Sequence, residues 1–262
     1  MKPAQTEEMV YSKLARWART RKAPDPRIPD HQRVYAIGDI HGRLDLFEAL
    51  IEKIDADDAA RGDAQTLIIL LGDLVDRGPD SAGVVERAIR LGGAGVRVRY
   101  LQGNHEEVFL RAVRGDARAV KFLIRIGGRA TLASYGITDE EYNTLEYEDL
   151  AALLARRVPA EHIAFLEAFE DLIEVGDYAF VHAGIRPGVE LEKQKTADLR
   201  WIREEFLNHQ GMHARVVVHG HSISEDVERR PNRIGVDTGA FASGRLSAVG
   251  LEGDQCWCLS TD

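Results

Sequence analysis

Five short loops hold most of the residues able to do chemistry. They read Gly38-Asp39-Ile40-His41-Gly42, Gly72-Asp73-Leu74-Val75-Asp76-Arg77-Gly78, Gly103-Asn104-His105-Glu106, Val181-His182-Ala183-Gly184 and Val218-His219-Gly220-His221-Ser222. An Asp and a His two residues apart can aim at one point, and carboxylate with imidazole suits Mn, Fe or Zn. Asp73 has two oxygens and could bridge two cations. Asn104 offers a neutral carbonyl oxygen, and His105 suits proton transfer near neutrality. Arg77 has the shape to hold a phosphate through two parallel hydrogen bonds. Taken singly, each loop has a plain alternative: a polar turn with a capping Asp, a surface Asp–Arg pair, a satisfied core histidine. Taken together and in order, each after an apolar run, they do not read as structural accidents. Five of the nine histidines fall in these loops, whereas His31, His162, His209 and His213 lie elsewhere and read as ordinary residues.

The elements that must position these loops show in the hydrophobic pattern. Short apolar runs at Val34–Ile37, Leu67–Leu71 and Val96–Leu101 each end in Gly-Asp or Gly-Asn and lead into a helical stretch, Leu44–Ile54 after the first and Ser81–Leu91 after the second. Three strand–loop–helix units predict a layered α/β fold, with ligands beyond the carboxyl ends of the strands. Residues 115 to about 170 read as a helical cap or insertion without obvious chemistry. Beyond Glu170 the pattern predicts strands at Leu172–Val175, Tyr178–Val181, Arg215–Val218, Arg233–Val236, Leu246–Leu251 and Cys256–Leu259, with a helix over about Asp198–Asn208. Gly176-Asp177 and Gly253-Asp254 predict hairpins. Residues 1–32 read as an appendage, an amphipathic helix over Glu7–Arg19 followed by a stretch with Pro24, Pro26 and Pro29. Residues 33–262 read as the main domain.

The chain has 262 residues, 44% apolar and 29% charged, enough to bury a sizeable core. Its net charge of −9 argues against nucleic-acid binding and requires that an anionic substrate meet a locally cationic site. No apolar run is long enough to span a membrane, and no secretory signal is legible, so a cytoplasmic protein is expected. Cys256 and Cys258 lie one residue apart, too close to bridge comfortably, and read as ordinary thiols.

The five loop motifs resemble those of the calcineurin-like metallophosphoesterase superfamily. The GDLVDRG and GNHE forms are similar to its phosphoprotein phosphatase branch, and most of all to bacterial and phage serine/threonine phosphatases and diadenosine tetraphosphate hydrolases. The resemblance covers roughly residues 33–251 and extends to Leu199–Glu204 and Val236–Ala240. It implies two β-sheets packed face to face, flanked by helices in a four-layer arrangement, with two divalent ions, Mn favoured over Fe, Zn or Co. Asp39 and His41 would bind the first ion, Asp73 would bridge, and Asn104, His182 and His221 would bind the second. His105 would be the general acid, oriented by Asp76, and Arg77, Arg203 and Asn104 would hold the phosphate. His219 rivals His221, and Arg200 rivals Arg203. The implied activity is phosphoester hydrolysis by a water activated between the metals, on phosphoserine or phosphothreonine. Dinucleoside polyphosphates are the alternative substrate, and a catalytically silent binding domain is the third reading.

Overall fold

The computed structural model describes residues 25–261. The helix expected over Glu7–Arg19, and Pro24, lie outside the described residues. Strand β1 (Gln32–Ile37) leads into helix α1 (Leu44–Arg61), β2 (Gln65–Leu70) into α2 (Ser81–Gly93), and β3 (Val98–Tyr100) into α3 (Asn104–Val113). These strands pair in parallel, as expected of strands joined by helical crossovers. Helices at Ala117–Leu123, Arg129–Ser134, Asp139–Thr144, Tyr147–Arg157 and Ala160–Glu167 follow, with a π-helical turn at Ile124–Gly128. The chain then forms β4 (Ile173–Val175), β5 (Tyr178–Phe180), β6 (Val216–His219), β7 (Glu228–Arg229), β8 (Arg233–Gly235), β9 (Ser247–Glu252) and β10 (Gln255–Ser260).

One five-stranded sheet has the order β10-β9-β1-β2-β3 and the other β4-β5-β6-β8-β7. Both Gly-Asp hairpins form: β4 pairs antiparallel with β5, and β9 with β10. Period-2 alternation along β1 assigns the layers. Val34 and Ala36 face a cluster shared with Phe180, Val216 and Val218 of the second sheet, so the sheets pack face to face. Tyr35 and Ile37 face the opposite way, onto Phe47 and Leu50 of α1 and Val84 and Val85 of α2. Val217 on the outer face of β6 packs with Leu199, Ile202 and Phe206. The result is the four-layer helix–sheet–sheet–helix arrangement. Ile28, in the proline-containing stretch, is buried between the sheets, and its N–H donates to the Gly253 carbonyl at 2.8 Å.

Several elements differ from the sequence reading. The third strand is shorter than expected, continuing only as a single bridge from Leu101 to Glu170. The helix expected over Asp198–Asn208 breaks into Thr196–Trp201 and Glu204–Leu207, because Ile202 is extended and Arg203 takes φ −132, ψ −98. The break lets Ile202 and Phe206 both pack beneath the second sheet while Arg203 stays exposed. A short helix at Ala240–Ser243, unforeseen in the sequence, follows the left-handed Gly239.

Candidate metal centre and active site

The loops after β1, β2, β3, β5 and β6 converge on Asp73. Its two carboxylate oxygens face different histidines: Oδ2 lies 3.6 Å from His41 Nε2 and 3.8 Å from His105 Nε2, and Oδ1 lies 3.4 Å from His182 Nε2. Two ligand triads share this one carboxylate, His41–Asp73–His105 and Asp73–His182–His221. Asn104 Oδ1 sits 3.0 Å from His182 Nε2, and Asp39 Oδ2 sits 4.0 Å from His41 Nε2. Asp39, His41, Asp73, Asn104, His182 and His221 are all buried.

The imidazoles are turned by backbone acceptors. His41 Nδ1 lies 2.8 Å from the Val75 carbonyl, and His182 Nδ1 lies 2.8 Å from the Leu71 carbonyl. Each contact fixes a ring so that Nε2 points inward, as a metal-binding imidazole requires. His41 Nε2 and His221 Nε2 are buried with no hydrogen-bond partner. A buried orphan nitrogen is costly unless something else occupies its lone pair. Burial depresses His41 to about 3 and His221 to about 2, so both are neutral ligands at ordinary pH. Burial and the neighbouring Asp237 and Asp73 push Asp39 well above the usual carboxylate range. Burial also acts to raise Asp73, but the facing His182 and His105 outweigh it and hold it low. Crowded buried carboxylates, inward Nε2 atoms and mixed oxygen–nitrogen donors fit two adjacent divalent cations.

The backbone is bent to achieve this. Among the described residues six non-glycine residues have left-handed φ, and five of them are His41, Asp73, Asp76, Arg77 and His221. Each such residue costs about 1–2 kcal/mol, and strain of this kind concentrates at functional sites. Gly72, with φ +99, admits no side chain, since a Cβ there would lie 2.7 Å from the Gly103 nitrogen. The two loops thus touch backbone to backbone.

His105, expected as a proton donor, falls within the first triad. Its Nδ1 is 2.7 Å from Asp76 Oδ2, and Arg77 Nη2 donates to its Nε2 at 3.1 Å. Burial works to lower its proton affinity, but Asp73 and Asp76 prevail and raise it. Arg203 lies close enough to add to the depression of His221. The rivals go elsewhere. Arg200 is bound to Asp171 at 2.7 Å and Glu107 at 3.3 Å. The His219 ring packs edge-on against Phe206 at 5.0 Å and joins neither triad.

Three further residues support the site. Glu106, quoted in its motif but given no role, accepts the N–H groups of Asp73, Leu74, Val75 and Gly103. Asp237, quoted only as part of the resemblance, lies buried beside Asp39. Thr131 carried no sequence signal. Its hydroxyl donates to Asp76 Oδ1 at 2.5 Å and receives the Asp76 N–H at 2.9 Å. Gly127 accepts the Arg77 N–H at 3.0 Å. The helical stretch that looked chemically silent therefore braces the Asp76–Arg77 turn.

A family model for calcineurin-like phosphoesterases matches residues 32–240. The chain belongs to that family. This calcineurin-like phosphoesterase is 33% identical to a symmetrical bis(5'-nucleosyl)-tetraphosphatase of Acidovorax sp. over 178 residues, 68% of this chain. It covers 49% of that protein, so the chain spans about half the length of this relative. It is 28% identical to serine/threonine-protein phosphatase 2 of Escherichia coli over 235 residues, covering 83% of this chain and 92% of that one. Its fold is shared with a solved protein provisionally described as a diadenosine tetraphosphatase (TM-score 0.61, 23% identical, 88% of this chain and 94% of that one). Among the described residues no helix is long and apolar enough to cross a membrane.

Proposed function

We propose that this phosphoesterase is a dinuclear metal-dependent serine/threonine protein phosphatase. The observation that carries the reading is the placement of Asp73, with one oxygen toward His41 and His105 and the other toward His182. In this reading Asp39 and His41 hold one ion, Asn104, His182 and His221 hold the other, and Asp73 is shared. Manganese is the proposed metal, on the mixed donor set and the family likeness. Held there, two divalent ions would supply Lewis acidity and would lower the pKa of a water enough to provide a hydroxide nucleophile near neutral pH.

The chain's own groups do the rest. Arg77 and Arg203, with Asn104, orient the phosphate and offset charge on its equatorial oxygens. His105 holds a proton at Nε2 for the departing oxygen, with Asp76 fixing the ring through Nδ1. The Arg77 contact to that nitrogen gives way when the phosphate draws the guanidinium toward itself. An alkoxide leaving group needs this proton more than a nucleotide phosphate does, which favours a phosphoserine or phosphothreonine substrate. The match along 92% of phosphatase 2 is compatible with the same choice. We retain residues 33–262 as one catalytic domain, with about 115–170 inserted into it.

The second reading, a dinucleoside polyphosphate hydrolase, draws on the 33% identity to the tetraphosphatase. Chelated protein reloaded with Mn should hydrolyse a phosphoserine peptide faster than diadenosine tetraphosphate, by kcat/KM. The reverse order would overturn the phosphatase reading. Failure to hydrolyse even p-nitrophenyl phosphate with any divalent metal would favour a silent domain.

A further inference from the structure

A groove of about 670 Å³ adjoins the candidate metal centre through Arg77, which lines the groove and also donates to His105. Phe241 forms the wall between them. The Arg77 guanidinium lies 4.7 Å from its ring centroid, and the ring meets His41 edge-on at 5.5 Å. A phosphate held at Arg77 would leave the rest of its substrate within reach of Phe241 and this groove.

The charges there are unbalanced. Asp45, Glu48 and Asp80 line the groove, and apart from Arg77 at its inner end the only cation lining it is Arg43. Three carboxylates against two guanidiniums leave one formal negative charge. Arg43 is already committed: Nε and Nη2 donate to the two oxygens of Asp45 at 2.9 and 2.7 Å, and Nη1 donates to the Ala240 carbonyl at 2.9 Å. Neither Glu48 nor Asp80 has an ion-pair partner among the described residues. Phe241 adds an aromatic face along which the apolar stem of a lysine or arginine can lie.

We propose that this groove is a flanking subsite that takes a lysine or arginine side chain of a phosphopeptide, close in sequence to the phosphorylated residue. The inference rests on the protein-phosphatase reading and deepens it. A polyphosphate chain laid along the same groove would meet Glu48 and Asp80 with like charge, which disfavours nucleotide substrates there.

The test uses the full chain loaded with Mn and three phosphoserine peptides that differ only in carrying lysine, alanine or glutamate near the phosphoserine. The lysine peptide should exceed the glutamate peptide in kcat/KM by about fivefold or more at low salt, with the gap narrowing as salt rises. Glu48→Lys should erase or invert that order while leaving p-nitrophenyl phosphate turnover unchanged, since Glu48 lies outside the metal pocket. Glu48→Gln should narrow it, and serves if the lysine variant folds poorly. Equal rates on all three peptides, or an order untouched in both variants, would overturn the subsite alone. Turnover of diadenosine tetraphosphate with no turnover of any phosphopeptide would overturn the underlying phosphatase reading instead.

Discussion

The Asp73 N–H donates to Glu106 Oε2 at 2.8 Å, so the carboxylate shared by the two candidate metal triads is held from behind by a second, buried carboxylate. Glu106 reaches Asp73 from the first turn of α3 and binds the two following N–H groups of the same loop. This bond lets Asp73 keep its left-handed φ of 52 with its oxygens turned toward both histidine groups.

Removing that support should be felt in both fold and metal affinity. Glu106→Ala leaves four buried N–H groups without acceptors, and a buried donor left unsatisfied costs about 1–3 kcal/mol. We expect a fall in stability of at least about 3 kcal/mol and a 10- to 100-fold loss of metal affinity, in the range of outer-shell ligand supports. Denaturant unfolding and metal titration check the two effects. Native-like values in both would show that the loop holds itself.

Asp73→Asn replaces a charged oxygen by an amide at the shared position. Turnover should fall by several orders of magnitude while circular dichroism stays native. A metal-loaded variant with near-native activity would remove Asp73 from the centre of the chemistry.

His105→Asn should discriminate by leaving group. A general acid matters most where the departing oxygen is strongly basic. The loss on a phosphoserine peptide should exceed the loss on p-nitrophenyl phosphate by about tenfold or more. Equal losses on the two substrates would count against proton donation by His105.

The two arginines flanking Trp201-Ile202 should separate cleanly. Arg203→Ala should lower kcat/KM about 10- to 100-fold, because its exposed guanidinium, near enough to act on His221 electrostatically, is free to meet the phosphate. Arg200→Ala breaks the links to Asp171 and Glu107 and should lower Tm, with kcat/KM within about threefold of wild type. The opposite pattern would exchange their roles.

Asp57 offers a check on stability far from the chemistry. Its Oδ2 accepts from Tyr35 at 2.7 Å, Arg61 at 2.8 Å and Trp257 at 2.9 Å. Partial burial acts to raise its pKa, but these donors outweigh it and hold the carboxyl below its ordinary value. A carboxyl depressed in the folded state stabilises above its unfolded pKa and loses that contribution as pH falls through its folded pKa. Asp57→Ala should therefore cost about 2 kcal/mol near pH 7, and the Tm gap to wild type should close toward pH 3. A gap independent of pH would assign the effect to packing alone.

Much of the candidate site was legible because its residues sit in compact loops directly after apolar runs. A strand end fixes where such a loop emerges, so residue type and position along the chain sufficed for Asp39, His41, Asp73, Asn104 and His182 to be named. Thr131 and Gly127 were not legible. They brace Asp76 and Arg77 from a helical stretch some 50 residues downstream, and nothing in a hydroxyl or a glycine marks such a partner. The broken helix at Ile202-Arg203 was missed for a similar reason: its apolar spacing suits one helix, and only packing beneath the second sheet makes two.

The sequence by itself determined the layered α/β class, the loops that carry the chemistry and the kind of ligand each offers, because these follow from local periodicity and side-chain type. The tertiary structure sets His221 in the second triad and His219 against Phe206, ties Arg200 to Asp171 and Glu107 while Arg203 stays exposed, and fixes which oxygen of Asp73 faces which histidine. Those placements depend on the direction in which a side chain leaves its backbone, set by left-handed φ values and by acceptors such as Val75 and Leu71. Spacing along the chain does not encode direction. Packing against distant elements does.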